Sequence, residues 1–324
     1  MNYRFSAKLA LLITVLITIA ATSIHPAATV RAQSGLSDEQ LALLERVVTA
    51  VTAVDDYTSY VSTENTTLAI NGNVTLAGFT QNILQNQTLD KTTTYILGDN
   101  PNALIVATYT SESSQEAGKT VSYTVNAEAR YVEETLYFNG SVTDGDATQV
   151  DLPEGWVTVD DVTTYDIFDS IGLDNLLERV GAVEQDPTKE SPLKDLELLK
   201  KVVTNITVEE TTLEDGSTAN TFVLTIDLAS LIANDPNAFG GDSSSTALFN
   251  AFEGQNVEAT IVLDADDNPW SYNLTFGGNL VDADASTLSP SLAGATLTLD
   301  FSFSQSSELS QVNEEIEPVT APEE

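Results

Sequence analysis

The sequence predicts an α+β protein in which four or five amphipathic helical pieces face one long, twisted, antiparallel sheet. Two observations lead there. From Tyr57 onward the chain is dominated by β-branched and aromatic runs of period two, separated by turn dipeptides. The late runs have one apolar and one polar face, as in an antiparallel sheet covered on a single side, and short stretches of helical spacing lie between the earlier ones to cover it.

The first 32 residues read as an export signal. Arg4 and Lys8 form a charged start, Leu9 to Ala21 is apolar, and Val30-Arg31-Ala32 offers small residues for cleavage after Ala32. The apolar stretch is shorter than the ~20 residues that span a bilayer, and no later one is longer, so no stable membrane insertion is expected after cleavage. Removing the segment takes away the only His, His25, and the only Met, Met1. The chain has no Cys, so neither a lipid anchor on a lipobox Cys nor a disulfide is available.

Charge narrows the partners. With Arg4, Lys8 and Arg31 gone, nine basic residues remain against 49 acidic ones, a formal net charge of −40. Such a surface repels phosphate backbones and anionic headgroups, which argues against nucleic acid as a partner.

The remaining residues 33–303 are expected to form one domain. Ser37 and Gln40 make a capping box, with Asp38 and Glu39 at the positive end of the helix dipole. Leu41, Leu44, Val47, Val48, Val51 and Val54 continue as one apolar stripe. Strands are expected at Thr67 to Ile70 and Val74 to Ala77 about an Asn71-Gly72 turn, and at Thr92 to Leu97 and Ala103 to Tyr109 about Asp99-Asn100-Pro101. Val121 to Val125 and Ala129 to Phe138 follow, the latter before an Asn139-Gly140 turn. Ile206 to Thr212 and Thr221 to Leu228 flank Asp215-Gly216, Val257 to Leu263 and Trp270 to Phe276 flank Asp267-Asn268-Pro269, and Ala295 to Phe303 closes the set.

The covering helices come from the middle of the chain. Ile167, Phe168 and Ile171 precede Asp174, read as the cap of a turn carrying Leu176, Leu177 and Val180 and ended by Gly181. Leu193 to Val203 repeat helical spacing after Pro192, and weaker helical stretches run from Leu228 to Ala233 and from Thr246 to Phe252. From Ser304 the Ser-, Gln-, Glu- and Pro-rich residues 304–324 read as a disordered acidic tail.

Tyr131 to Gly140, followed by Gly155-Trp156-Val157, and the late segment Leu263 to Trp270 resemble the bacterial lipoprotein-carrier families of the LolA and LppX/LprG kind, as does the order of elements over Leu36 to Phe303. The resemblance implies a large curved sheet forming a half-barrel, helices covering its concave face, and acyl chains in the gap between. The missing lipobox Cys departs from the lipoprotein members.

An apolar concave face must in any case be filled, because an empty void forfeits about 24 cal/mol per Å³. Leu176, Leu177, Val180, Leu231, Ile232, Phe249 and Phe252 are the candidates for lining a ligand space there. Catalytic and metal chemistry find less support. Asp264, Asp266 and Asn268 have the spacing that opens a Ca²⁺ loop, but Pro269 and Thr275 stand where Gly and Glu are required, so a hairpin turn is expected. Adjacent acids such as Glu133 and Glu134 arise readily by chance among 49, and without His the usual Ser-His triad is impossible. No cofactor or metal is expected. The expectation is a secreted, non-enzymatic protein at the cell envelope that binds or carries a lipid or other apolar ligand; the alternative is a surface interaction module with a solid β core.

Overall fold

The computed structural model describes residues 35–114, 119–184, 192–213, 216–234, 256–285 and 293–322. The expected signal segment and the helical stretch from Thr246 to Phe252 lie outside these residues. At the middle stand two strands of 18 residues each, β1 (Ser59–Leu76) and β2 (Phe79–Ile96). At ~3.3 Å per residue they run for about 60 Å. Next to β2 come β3 (Asn102–Ser114), β4 (Thr120–Val132), β5 (Thr135–Gly145) and the short β6 (Val157–Thr158). On the other flank, β11 (Ala295–Ser310) pairs with β1, followed outward by β10 (Pro269–Asp284), β9 (Asn256–Asp264), β8 (Thr218–Asp227) and β7 (Val203–Thr212). Among the described residues, eleven strands form one antiparallel sheet, and it is not closed: β6 and β7 are its edges. The first half of the chain thus builds one wing, the second half builds the other, and the β1–β11 pairing joins them.

Turns at Asp99-Asn100-Pro101 and Asp267-Asn268-Pro269 stand where the sequence places them. The Asp264 carboxylate is used by its own turn, accepting from the backbone N–H groups of Asp266 at 2.9 Å and Asn268 at 2.8 Å. Two expected turns are corrected. Asn71-Gly72 lies inside β1 and Asn139-Gly140 inside β5. Both glycines serve a close approach rather than a turn. A Cβ on Gly72 would stand 2.1 Å from the Thr298 carbonyl oxygen of β11, and one on Gly140 would stand 2.9 Å from the Phe138 ring. The hairpins turn instead at Ala77-Gly78, with φ of 52° and 82°, and at Glu133-Glu134, with φ of 50° and 61°. Both pairs have the two positive φ values that a type I′ turn requires.

The helix α1 (Asp38–Ala53) begins with the expected capping box, Ser37 and Gln40 each accepting from the other's backbone N–H. It buries Leu44, Val47 and Ala50. α2 (Asp166–Ile171) and α3 (Leu173–Arg179) are joined at Gly172, whose φ of 77° makes the break. Gly172, rather than Asp174, therefore occupies the cap position of α3, while Gly181 ends that segment as expected, with φ of 74°. Pro192 opens a 3-10 turn, and Asp195 then caps α4 (Leu196–Val202) by accepting from Leu198 N–H at 2.9 Å. α5 (Leu228–Asn234) follows β8 directly.

These helices divide between two cores. In the first, α1, α4 and α5 pack on the β7–β11 wing around Leu44, Leu199, Phe222 and Leu224. In the second, α2 and α3 pack on β3 to β5 around Ile105, Phe138, Phe168 and Leu176.

The C-terminal segment also differs from expectation. β11 continues to Ser310, because the long β1 offers it backbone partners as far as Val61. Beyond it, Asn313 N–H donates to the Ser59 carbonyl at 2.8 Å, Ser59 Oγ donates to the Glu314 carbonyl at 2.6 Å, and Arg130 donates to the Thr320 carbonyl at 3.0 Å. Hydrogen bonds, which composition does not reveal, hold these polar residues across the strand ends.

Candidate ligand cavity

Between the two cores lies a cavity of about 470 Å³. Its floor is built by period-two positions of three adjacent strands: Tyr60, Ser62 and Glu64 on β1, Lys91, Thr93 and Tyr95 on β2, and Gln305, Ser307 and Leu309 on β11. Tyr272 and Leu274 of β10 extend the floor, Ile226, Val257 and Ile261 add an apolar wall, and Val51, Leu199 and Leu231 reach it from α1, α4 and α5. The lining is thus mainly apolar with one polar strip.

The strand register organises that strip. Lys91 pairs with Glu64, Glu64 with Ser307, and Ser307 with Tyr272, so four side chains stand in a row across β2, β1, β11 and β10. Lys91 Nζ lies 3.1 Å from Glu64 Oε2, and the two side chains are only 13% and 16% exposed. Glu64 Oε1 accepts from Gln305 at 3.1 Å and from Thr66 at 3.2 Å. Ser307 and Ser62 share a hydrogen bond of 3.0 Å. Burial pushes the Tyr95 and Tyr272 hydroxyls well above the usual phenol range, and the Glu64 carboxylate adds to both shifts. Both therefore stay protonated, and neither has a hydrogen-bond partner among the described residues.

Charged contacts bridge the helices beside the cavity. Arg179 of α3 donates to the Asp55 carboxylate at 3.2 Å, to Tyr60 Oη at 3.0 Å and to the Val54 carbonyl, while Lys194 pairs with the same Asp55 at 2.7 Å. Residues from both helical groups meet at this aspartate. At Gly172, where α2 meets α3, a Cβ would stand 3.6 Å from Lys91 Nζ, so the joint lies close over the ion pair.

Of the seven residues proposed from sequence, Leu231 lines this cavity and Ile232 is buried in the first core beside it. Leu176, Leu177 and Val180 pack in or against the second core, and Phe249 and Phe252 lie outside the described residues. Sequence reasoning missed the polar row. Its only trace is alternation in Leu89-x-Lys91-x-Thr93-x-Tyr95, where a charged residue shares a face with buried ones.

The tyrosine shifts predict alkaline sensitivity. Burial raises the phenol pKa of Tyr60, Tyr95 and Tyr272 in the folded state, so their stabilising contribution is complete below the unfolded value of about 10 and is lost as pH rises through the folded values. The melting temperature is expected to fall above about pH 10, and less steeply in Tyr95→Phe and Tyr272→Phe. Thermal melts followed by circular dichroism across that range check it; equal slopes in wild type and variants would contradict it.

Sheet, helices and cavity together define a class: an open, curved antiparallel sheet with helices on its covered face and a partly apolar space between the two cores. No family model matches the sequence, and no curated protein is similar to it. Among solved structures, the chain is similar to the lipoprotein LppX of Mycobacterium tuberculosis, at 13% identity and a TM-score of 0.29, over 87% of this chain and 99% of that one. It is also similar to a DUF1329 family protein of Desulfovibrio piger, at 9% identity and a TM-score of 0.23, over 87% and 96%. A third is an outer membrane lipoprotein-sorting protein domain of Vibrio parahaemolyticus, at 8% identity and a TM-score of 0.18, over 85% and 95%. No helix among the described residues is long and apolar enough to cross a membrane.

Proposed function

We propose that this protein binds a lipid or other apolar ligand in the cavity between its two cores and carries it outside the cytoplasmic membrane, without a catalytic step. The observation that supports this reading is the space itself. At about 470 Å³ it falls in the size range of small-molecule sites, and most of its lining is aliphatic or aromatic. A surface module with a solid core would have no use for such a space, which costs packing energy when empty.

Native mass spectrometry of the protein purified from its own host without detergent, before and after solvent extraction, tests the reading. A stoichiometric lipid mass released on extraction is the expected result. An apo mass with no uptake of host lipids would overturn it. Leu231→Trp, which places a larger side chain in the cavity, is expected to weaken acyl-chain uptake by about tenfold while the far-UV circular dichroism stays unchanged.

A further inference from the structure

The apolar reading leaves the polar row on the cavity floor unexplained. A space meant for hydrocarbon alone would be served better by aliphatic side chains, because a buried ion pair seldom stabilises more than its hydrophobic replacement. Here Lys91, Glu64, Ser307 and Tyr272 stand side by side on four neighbouring strands, with Thr93 and Tyr95 alongside, all facing the same space. We infer that the cavity takes a single-chain amphiphile whose uncharged, hydroxyl-bearing head rests on this row while its chain lies against the Ile226, Val257, Ile261 and Leu231 side. This rests on the apolar-ligand reading above and specifies its ligand.

Three features carry the inference. Size suits a single chain: at about 470 Å³ the space lies toward the lower end of small-molecule sites. Charge selects a neutral head. Lys91 and Glu64 already neutralise each other at 3.1 Å, so an anionic head would have to displace the Glu64 carboxylate and a cationic one the Lys91 ammonium, each leaving a charge unpaired away from water. Hydrogen-bonding capacity selects a hydroxyl, which can donate to Glu64 and accept from the Lys91 ammonium or from the Tyr272 or Tyr95 hydroxyl. Both phenols are held protonated and lack partners among the described residues.

The test compares ligands of one chain length, a monoacylglycerol, a fatty alcohol, a fatty acid and an alkane, by displacement of a fluorescent acyl probe at neutral pH. The two hydroxyl-bearing ligands are expected to bind about fivefold or more tighter than the acid and the alkane, the worth of roughly one hydrogen bond. Tyr272→Phe should reduce that preference. Lys91→Met alone risks the fold, so the double variant Lys91→Met/Glu64→Leu, which removes the pair together, is the second arm. It should lose the preference and bind the alkane at least as well as wild type. Equal binding of all four ligands by wild type would overturn the inference while leaving the apolar-ligand reading standing, and so would tightest binding of the fatty acid. Retention of the preference in the double variant would overturn the assignment to this row. Failure of every ligand to bind would overturn the reading on which the inference rests.

Discussion

Gly72→Ala is expected to destabilise the protein by about 3 kcal/mol, far more than an alanine in a strand ordinarily does. The added Cβ would stand 2.1 Å from the Thr298 carbonyl oxygen and 2.9 Å from Leu299 Cα, both backbone atoms of β11. A flexible side chain could move away; the backbone of a strand paired on both edges cannot do so without breaking its ladder. The position also matters because β1–β11 is the pairing that joins the two wings of the sheet. Gly78→Ala supplies the control. Gly78 has φ of 82° in the β1–β2 turn but open space where a Cβ would be, so only the conformational cost of about 1 kcal/mol applies. Urea unfolding of both variants checks the contrast, and similar midpoints for the two would show that the β1–β11 seam yields easily.

Removing one member of the buried ion pair is the second large effect. Lys91→Ala leaves the Glu64 carboxylate, 16% exposed, without its cation, and a loss of about 3 kcal/mol or more is expected. Gln305 and Thr66 continue to donate to Glu64, which softens the penalty without replacing the charge. The double variant Lys91→Met/Glu64→Leu should recover most of that loss and can exceed wild type, since aliphatic groups in the same place need no desolvated partner. Chemical denaturation of Lys91→Met, Glu64→Leu and the double variant closes the cycle. Additive losses would show that the two side chains do not depend on each other.

Local signals in the sequence carry through to the structure where the physics is local. The Ser37 and Gln40 capping box acts within one helical turn, and the structure shows both of its hydrogen bonds. The Asp264 turn is likewise made by side chains and backbone within five residues. The apolar face of Leu297, Leu299 and Phe301 is buried as its alternation predicts. Two Asn-Gly pairs misled because a glycine has two uses. Local sequence shows that the chain could turn at Gly72 or Gly140, but only the strand or ring packed against each explains why a side chain is missing there. The turn at Glu133-Glu134 escaped for the complementary reason, since two carboxylate residues at positive φ carry no local turn preference and are set there by the register of β4 against β5.

The sequence by itself determined the class of the fold, the capping box of α1 and the apolar stripes, several of the hairpins, and the acidity of the chain. Tertiary structure alone decided where the two wings meet, how far β11 runs, and what lines the space between the cores. The polar row illustrates why. Glu64 and Lys91 are brought together by the β1–β2 register, and Ser307 and Tyr272 reach them from the other end of the chain. Alternation along one strand distinguishes its two faces, and polar residues are assigned to water by default. Whether a polar face looks toward solvent or into a cavity depends on elements hundreds of residues away, and that pairing exists only once the sheet has formed.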